Sequence, residues 1–120
     1  MIKNKILLID DDKFLLDALA QFLSMEKFDV EVLDQSDLIE STISIFNPDL
    51  IILDIDLGDA DGRLICDELR MNETTAHIPI IILTGLSYEE IAAIDCMADA
   101  VIGKPFESSM LMLSIQELIQ

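Results

Sequence analysis

Five short apolar runs recur along the chain: "KILLI" (5–9), "VEVL" (30–33), "LIIL" (50–53), "IIIL" (80–83) and "AVI" (100–102). Each has strand length, is rich in β-branched residues and is bounded by turn signals. Several lack the polar alternation of a half-solvated strand, so they suit strands covered on both faces. Between them lie segments of helical period. Phe14, Leu15, Ala18, Leu19, Phe22 and Leu23 share one stripe. Ser36 has the chemistry to cap a helix carrying Leu38, Ile39, Ile43 and Phe46, which ends near Asn47-Pro48. A third helix is expected from about Gly62 to Met71. "SYEE" (87–90) has capping-box spacing and opens a fourth through Ile91, Ile94 and Met97. The fifth runs from about Ser108 to Ile119.

Strands alternating with helices in this way predict a doubly wound α/β fold: five parallel strands, five helices, and helices on both faces. The 120 residues suit a single domain spanning 1–120, and neither a repeat nor a linker interrupts them. Although 52% of residues are apolar, no apolar run reaches the ~20 residues of a membrane helix. The N-terminus runs from a short apolar stretch straight into three acids, without a cleavage site, so it reads as a strand and the chain as cytoplasmic. Cys66 and Cys96 sit in helical patterns and are expected as buried free thiols. A net charge of −17 opposes nucleic-acid binding by this chain and favours cations or basic partner surfaces.

Open parallel sheets bind ligands beyond the carboxyl ends of their strands. Asp10, Asp11 and Asp12 follow the first strand, Asp54 and then Asp56 the third, Thr84-Gly85 the fourth, and Gly103-Lys104-Pro105 the fifth. Two carboxylates ~4 Å apart repel by about 4 kcal/mol at an effective dielectric of ~20. Asp10, Asp11 and Asp54 therefore need cations. Lys104 supplies one charge, and an all-oxygen donor set suits Mg²⁺ better than zinc. A Mg²⁺ site of few carboxylates typically also holds a phosphate, so with its charge neutralised Asp54 can attack phosphorus. Thr84 can bond a phosphoryl oxygen, and Gly85 leaves room beside it. Other acids have plainer uses: Asp12 as a helix N-cap, Asp59 and Asp61 in the turn and cap of a glycine-containing loop. His77 reads as a loop residue, and Met110 and Met112 as core filler.

The stretches "ILLIDDD", "PDLIILDIDLGDADG", "PIIILTG" and "VIGKPF" together resemble the response-regulator receiver domain, from Lys5 into the last helix. The resemblance implies a flavodoxin-like sheet of order 2-1-3-4-5 and signalling in a two-component or phosphorelay pathway. It implies Asp54 as phosphoacceptor, charged by a histidine kinase or a histidine phosphotransfer protein, with slow self-catalysed phosphorylation and dephosphorylation rather than enzymatic turnover. Asp11 would bind Mg²⁺ directly, Asp10 mainly through water, and Asp56 through its backbone carbonyl. Thr84 and Lys104 would hold the phosphoryl oxygens, and Lys104-Pro105 would be cis. The chain would signal to a partner protein or an effector domain. Two positions depart from the pattern. Val101 stands where the family usually has Tyr or Phe, which removes the aromatic rotamer switch. Gly58 stands where proline is frequent and frees the loop after Asp54.

Rival readings belong to other classes. "DIDLG" partly matches the nucleophile loop of haloacid-dehalogenase-type phosphatases, yet Gly58 replaces the Thr or Val expected there. A calcium loop counted from Asp54 meets Ile65 at its twelfth position, not Glu. A degenerate receiver used only for docking would lack the acidic pair, the acceptor or the lysine, and all are present.

Overall fold

A computed structural model describes residues 3–87, 89–90 and 96–119. The elements are β1 (Lys5–Ile9), α1 (Lys13–Met25), β2 (Asp29–Leu33), α2 (Ile39–Phe46), β3 (Leu50–Asp54), α3 (Gly62–Met71), β4 (Ile80–Thr84), β5 (Ala100–Gly103) and α4 (Ser108–Ile119). All strand pairs are parallel and form one five-stranded sheet of order β2-β1-β3-β4-β5. This is the expected flavodoxin-like order.

The apolar runs explain the layering. Side chains alternate across a strand, so Leu7, Ile9, Ile51, Leu53, Ile80 and Ile82 join Ile39, Ile43, Cys66 and Leu69 of α2 and α3 on one face. Ile6, Leu8, Leu50, Ile52, Ile81 and Leu83 meet Leu16, Leu19, Leu23, Leu111 and Ile115 of α1 and α4 on the other. Every residue of β3 and β4 is buried, whereas β2 at the sheet edge is largely exposed. Exposure at an edge is why only β2 carries the alternation "VEVL".

Four helices stand among the described residues. The expected helix through Ile91 and Ile94 lies outside them, but its start is in place. The Ser87 N–H donates to Glu90 Oε1 and the Glu90 N–H donates to Ser87 Oγ, both at 3.2 Å, which is a capping box. Ser36 does not cap α2. The cap is Leu38, without a side-chain hydrogen bond. Asp59 has taken Ser36 instead: its Oδ2 accepts from the Ser36 hydroxyl at 2.8 Å and from its N–H at 3.3 Å. Ser36 stands three residues before Ile39, where α2 begins, and its hydroxyl and N–H are both given to that carboxylate, a charge-assisted pairing. Met112 packs against the core as expected, whereas Met110 is exposed on α4.

Candidate functional site

The carboxyl ends of β1, β3, β4 and β5 converge at one rim. Asp10 follows the last residue of β1 and is 3% exposed; its N–H donates to the Leu33 carbonyl of β2. Its Oδ1 accepts from the Asp12 N–H at 3.0 Å. Asp12 in turn caps α1, accepting from the N–H groups of Phe14 and Leu15. The turn that starts α1 therefore fixes the Asp10 carboxylate.

Asp54 is the last residue of β3 and is also buried. Lys104, just past β5, reaches back across β4. Its Nζ lies 2.9 Å from Asp10 Oδ2 and 3.4 Å from Asp54 Oδ1. Strand pairing sets this reach, because Thr84 pairs with Gly103 and the Lys104 N–H donates to the Thr84 carbonyl at 2.6 Å. The Lys104-Pro105 bond is cis, as the resemblance implies. The buried Thr84 hydroxyl accepts from the Leu86 N–H at 3.1 Å, and no described residue accepts its proton. That proton can be given to an oxygen arriving beside Asp54.

Charge at this rim is not balanced. One ammonium faces two carboxylates, and Asp11 adds a third from the solvent side. Burial, then the charge of Asp10, pushes Asp54 from an ordinary 3.8 up to about 6, although Lys104 pulls the other way. Burial and the neighbouring Asp10 likewise raise Asp11. Burial opposes the charge on Lys104, yet its contacts with Asp10 and Asp54 win and hold it above its ordinary value.

Carboxylate oxygens of Asp10, Asp11 and Asp54 all lie within 4.8 Å of one another. Opposite ligands of a Mg²⁺ octahedron stand about 4.2 Å apart and several ligands are usually water. The cluster fits such an ion with one carboxylate reaching it through water. Asp56 spends its side chain elsewhere: Oδ1 accepts from the Gly58 N–H at 3.0 Å and closes the turn after Asp54. Gly58 adopts φ +80°, where a side chain would be strained, and its open side faces Asp11 Oδ2.

The structure thus brings Asp10, Asp11, Asp54, Thr84 and Lys104 together, with Asp56 in the adjoining loop. His77 is remote from them, lining a groove between α2 and α3. Sequence reasoning missed Gly62. A Cβ there would stand 2.9 Å from Ile55 Cα and still closer to the Asp54 carbonyl oxygen, so only glycine lets α3 begin against the backbone of Asp54. The Gly62 N–H donates to the Ile55 carbonyl at 2.6 Å. The available signal was a glycine at the first position of a helix, where it costs stability and needs a reason.

Comparison with known proteins points the same way. The family model described as the response regulator receiver domain matches residues 6–116. The chain is 35% identical over 120 residues to the response regulator ArlR of Staphylococcus saprophyticus, covering 98% of this chain and 53% of that protein. It is 33% identical over 118 residues to the DNA-binding dual master transcriptional regulator RpaA of Synechocystis sp., covering 97% and 49%. Among solved structures, the BeF3-activated N-terminal receiver domain of Klebsiella pneumoniae RstA superposes with a TM-score of 0.87 at 29% identity, covering 98% of this chain and 99% of that one. The chain spans about half the length of the curated relatives it matches.

Proposed function

Because the chain belongs to the response regulator receiver domain family and is a receiver domain of two-component signalling, we propose that Asp54 is its phosphoacceptor. One observation carries this reading: Asp54 alone ends a buried central strand with a lysine, a buried acid and a proton-bearing hydroxyl on the flanking strand ends. The donor is a phosphohistidine on a histidine kinase or histidine phosphotransfer protein. At neutral pH Asp54 is ionised despite its raised pKa of about 6. Its carboxylate attacks phosphorus in line. The P–N bond to the donor imidazole breaks, and the imidazole leaves with the electron pair and takes up a proton. Lys104 and the Thr84 hydroxyl hold phosphoryl oxygens, which also requires Lys104 to loosen its grip on Asp10.

Asp11 and Asp54 would hold Mg²⁺ through carboxylates, Asp56 through its carbonyl, and Asp10 through water. The ion supplies charge neutralisation for an anionic nucleophile meeting an anionic group. Dephosphorylation is slow and self-catalysed, which separates this module from a phosphatase. The family match does not favour the phosphatase or docking-only readings. Within the cell, the cytoplasm is the compartment we assign. Any effector lies outside this chain, and contact with DNA, as in a relative described as DNA-binding, would belong to that part.

The test is intact mass after incubation with Mg²⁺ and acetyl phosphate. One phosphate should be added, and none to Asp54→Asn. An adduct that survives this substitution overturns the assignment, as does rapid multiple turnover of small phosphate esters.

A further inference from the structure

The chain has two cysteines, both free, and the proposed phosphotransfer uses neither. Cys66 is fully buried on α3, 30 residues before Cys96 in the segment that enters β5. Cys96 is half-buried and packs on the same core face as Cys66. Hydrogen bonds between their chain neighbours bring the two positions together. The backbone around them is pinned. Asp67, next to Cys66, accepts from the Met97 N–H at 2.9 Å. Arg70, one turn on, donates to the Met97 carbonyl at 3.0 and 3.2 Å. A disulfide demands thiols already brought together with their backbones held; here α3 grips the residue after Cys96 from both its N–H and its carbonyl.

We propose that Cys66 and Cys96 are an oxidation site, closing to an intramolecular disulfide under a hydroperoxide and thereby tethering the segment between β4 and β5 to α3. The partly accessible Cys96 reacts first. Its sulfur takes the hydroxyl oxygen of hydrogen peroxide, becomes a sulfenic acid and releases water. The Cys66 thiol then attacks that sulfur. The S–S bond forms, the S–OH bond breaks, and a second water carries away the Cys66 proton. Two thiols and one peroxide become one disulfide and two waters. Burial, foremost, pushes the Cys66 thiol up to about 12, which keeps it inert toward oxidant, so the first oxidation falls to Cys96 and Cys66 must lose its proton as it attacks. The tether spans the chain from Thr84 to Met97, into which a phosphoryl group held by Thr84 would pull its signal. This restraint, unlike the bond itself, rests on the phosphoacceptor reading.

The experiment treats the whole protein with hydrogen peroxide, without phosphodonor, and reads intact mass and peptide maps. Wild type should lose the mass of two hydrogens as a monomer and give a linked peptide carrying Cys66 and Cys96, both reversed by dithiothreitol. Cys96→Ser should leave Cys66 unmodified. A sulfinic adduct on Cys96 beside a free Cys66, or dimers alone, overturns the site. For the restraint, amide exchange from Thr84 to Met97 is compared with and without beryllofluoride. Oxidation should shrink that response severalfold, and dithiothreitol should restore it. A full response in the oxidised protein rejects the tether. A reduced protein that ignores beryllofluoride removes the phosphoacceptor reading and the restraint with it, while the bond still stands or falls on mass.

Discussion

Arg70 and Lys104 each hold acidic groups at one end of the same sheet, and their side chains are similarly exposed, at 20% and 24%. Arg70 sits at the amino ends of β4 and β5. Its five N–H groups make five hydrogen bonds: two to the Met97 carbonyl, one each to the carbonyls of Ala76 and Ile78, and one to Asp99 Oδ2 at 2.6 Å. The same Asp99 oxygen accepts from the Ile80 N–H, which opens β4. One cation meets one carboxylate. At the carboxyl ends Lys104 meets two buried carboxylates, with Asp11 close by. The cations are alike in exposure, and the ends differ in charge balance and in how deeply the carboxylates are buried, Asp99 being 34% exposed against 5% and 8% for Asp10 and Asp54. The Arg70 end is complete within the chain, and the Lys104 end is complete only with something cationic added. A balanced cluster holds the fold, and an unbalanced one at a strand end marks a site.

The largest effect should come from the balanced end. Arg70→Ala removes five hydrogen bonds at about 1 kcal/mol each, and because three of them are exposed to water a loss of about 4 kcal/mol is expected. Denaturant melts should show that loss equally in Mg²⁺ and in EDTA. A loss that depends on the metal would break the distinction between the two ends.

The unbalanced end should show itself through pH. The folded-state pKa of Asp54, about 6, lies above its ordinary 3.8. Between those values the folded protein holds a proton that the unfolded chain has released, so stability falls as pH rises from about 4 to about 6. The full shift is worth roughly 3 kcal/mol. In EDTA the difference in unfolding free energy between wild type and Asp54→Asn should follow this course, with the substituted protein gaining on wild type as pH rises. A flat difference would mean that neither burial nor the charge of Asp10 destabilises the ionised Asp54.

Added Mg²⁺ should reverse that penalty. A ligand selective for the folded state adds about 2.7 kcal/mol at a hundredfold excess over its dissociation constant. Thermal melts should rise accordingly, and Asp11→Ala should remove most of the rise. In EDTA the same variant should melt slightly above wild type. That gain stays below about 1 kcal/mol, because Asp11 is exposed and its repulsion is screened. A less stable Asp11→Ala in EDTA would refute the crowding argument.

The two ends also differ in how far the sequence revealed them. Asp10, Asp54, Thr84 and Lys104 each follow an apolar strand directly, so one assumption, a parallel sheet, gathers them without knowledge of any contact. The strands were legible for the same reason: runs such as "LIIL" and "IIIL" have no other comfortable place. Arg70 was illegible. A single arginine near the end of an amphipathic helix reads as solvated, and its partners are carbonyls of Ala76, Ile78 and Met97, which carry no side-chain signature. Ser36 misled because its partner, Asp59, is 23 residues away and belongs to a loop whose path the sequence does not state. Chemistry set by chain order could be read, whereas chemistry set by loops could not.

Val101 offers the finest test, because β5 joins the two ends. The strand follows Asp99, held by Arg70, and leads into Lys104 at the acidic rim, with Val101 between them paired with Ile82. The family's aromatic residue at this position would swing into space vacated by the threonine. Valine is too short to fill that space, has no hydroxyl to present and is stiff at χ1. Communication along β5 should therefore be weak, and the response to a phosphoryl group should run from Thr84 into the segment it leads. A ligand shifts a conformation only through contacts that differ between states, and the Thr84 hydroxyl offers such a contact. Amide exchange with and without beryllofluoride should change mainly from Thr84 to about Met97, and little around Val101. Val101→Ala should leave that pattern nearly intact, and Thr84→Ala should suppress it. If the valine variant loses the response while the threonine variant keeps it, the acidic rim signals through β5 toward the Arg70 end, and the two ends are one coupled device rather than a site and a latch.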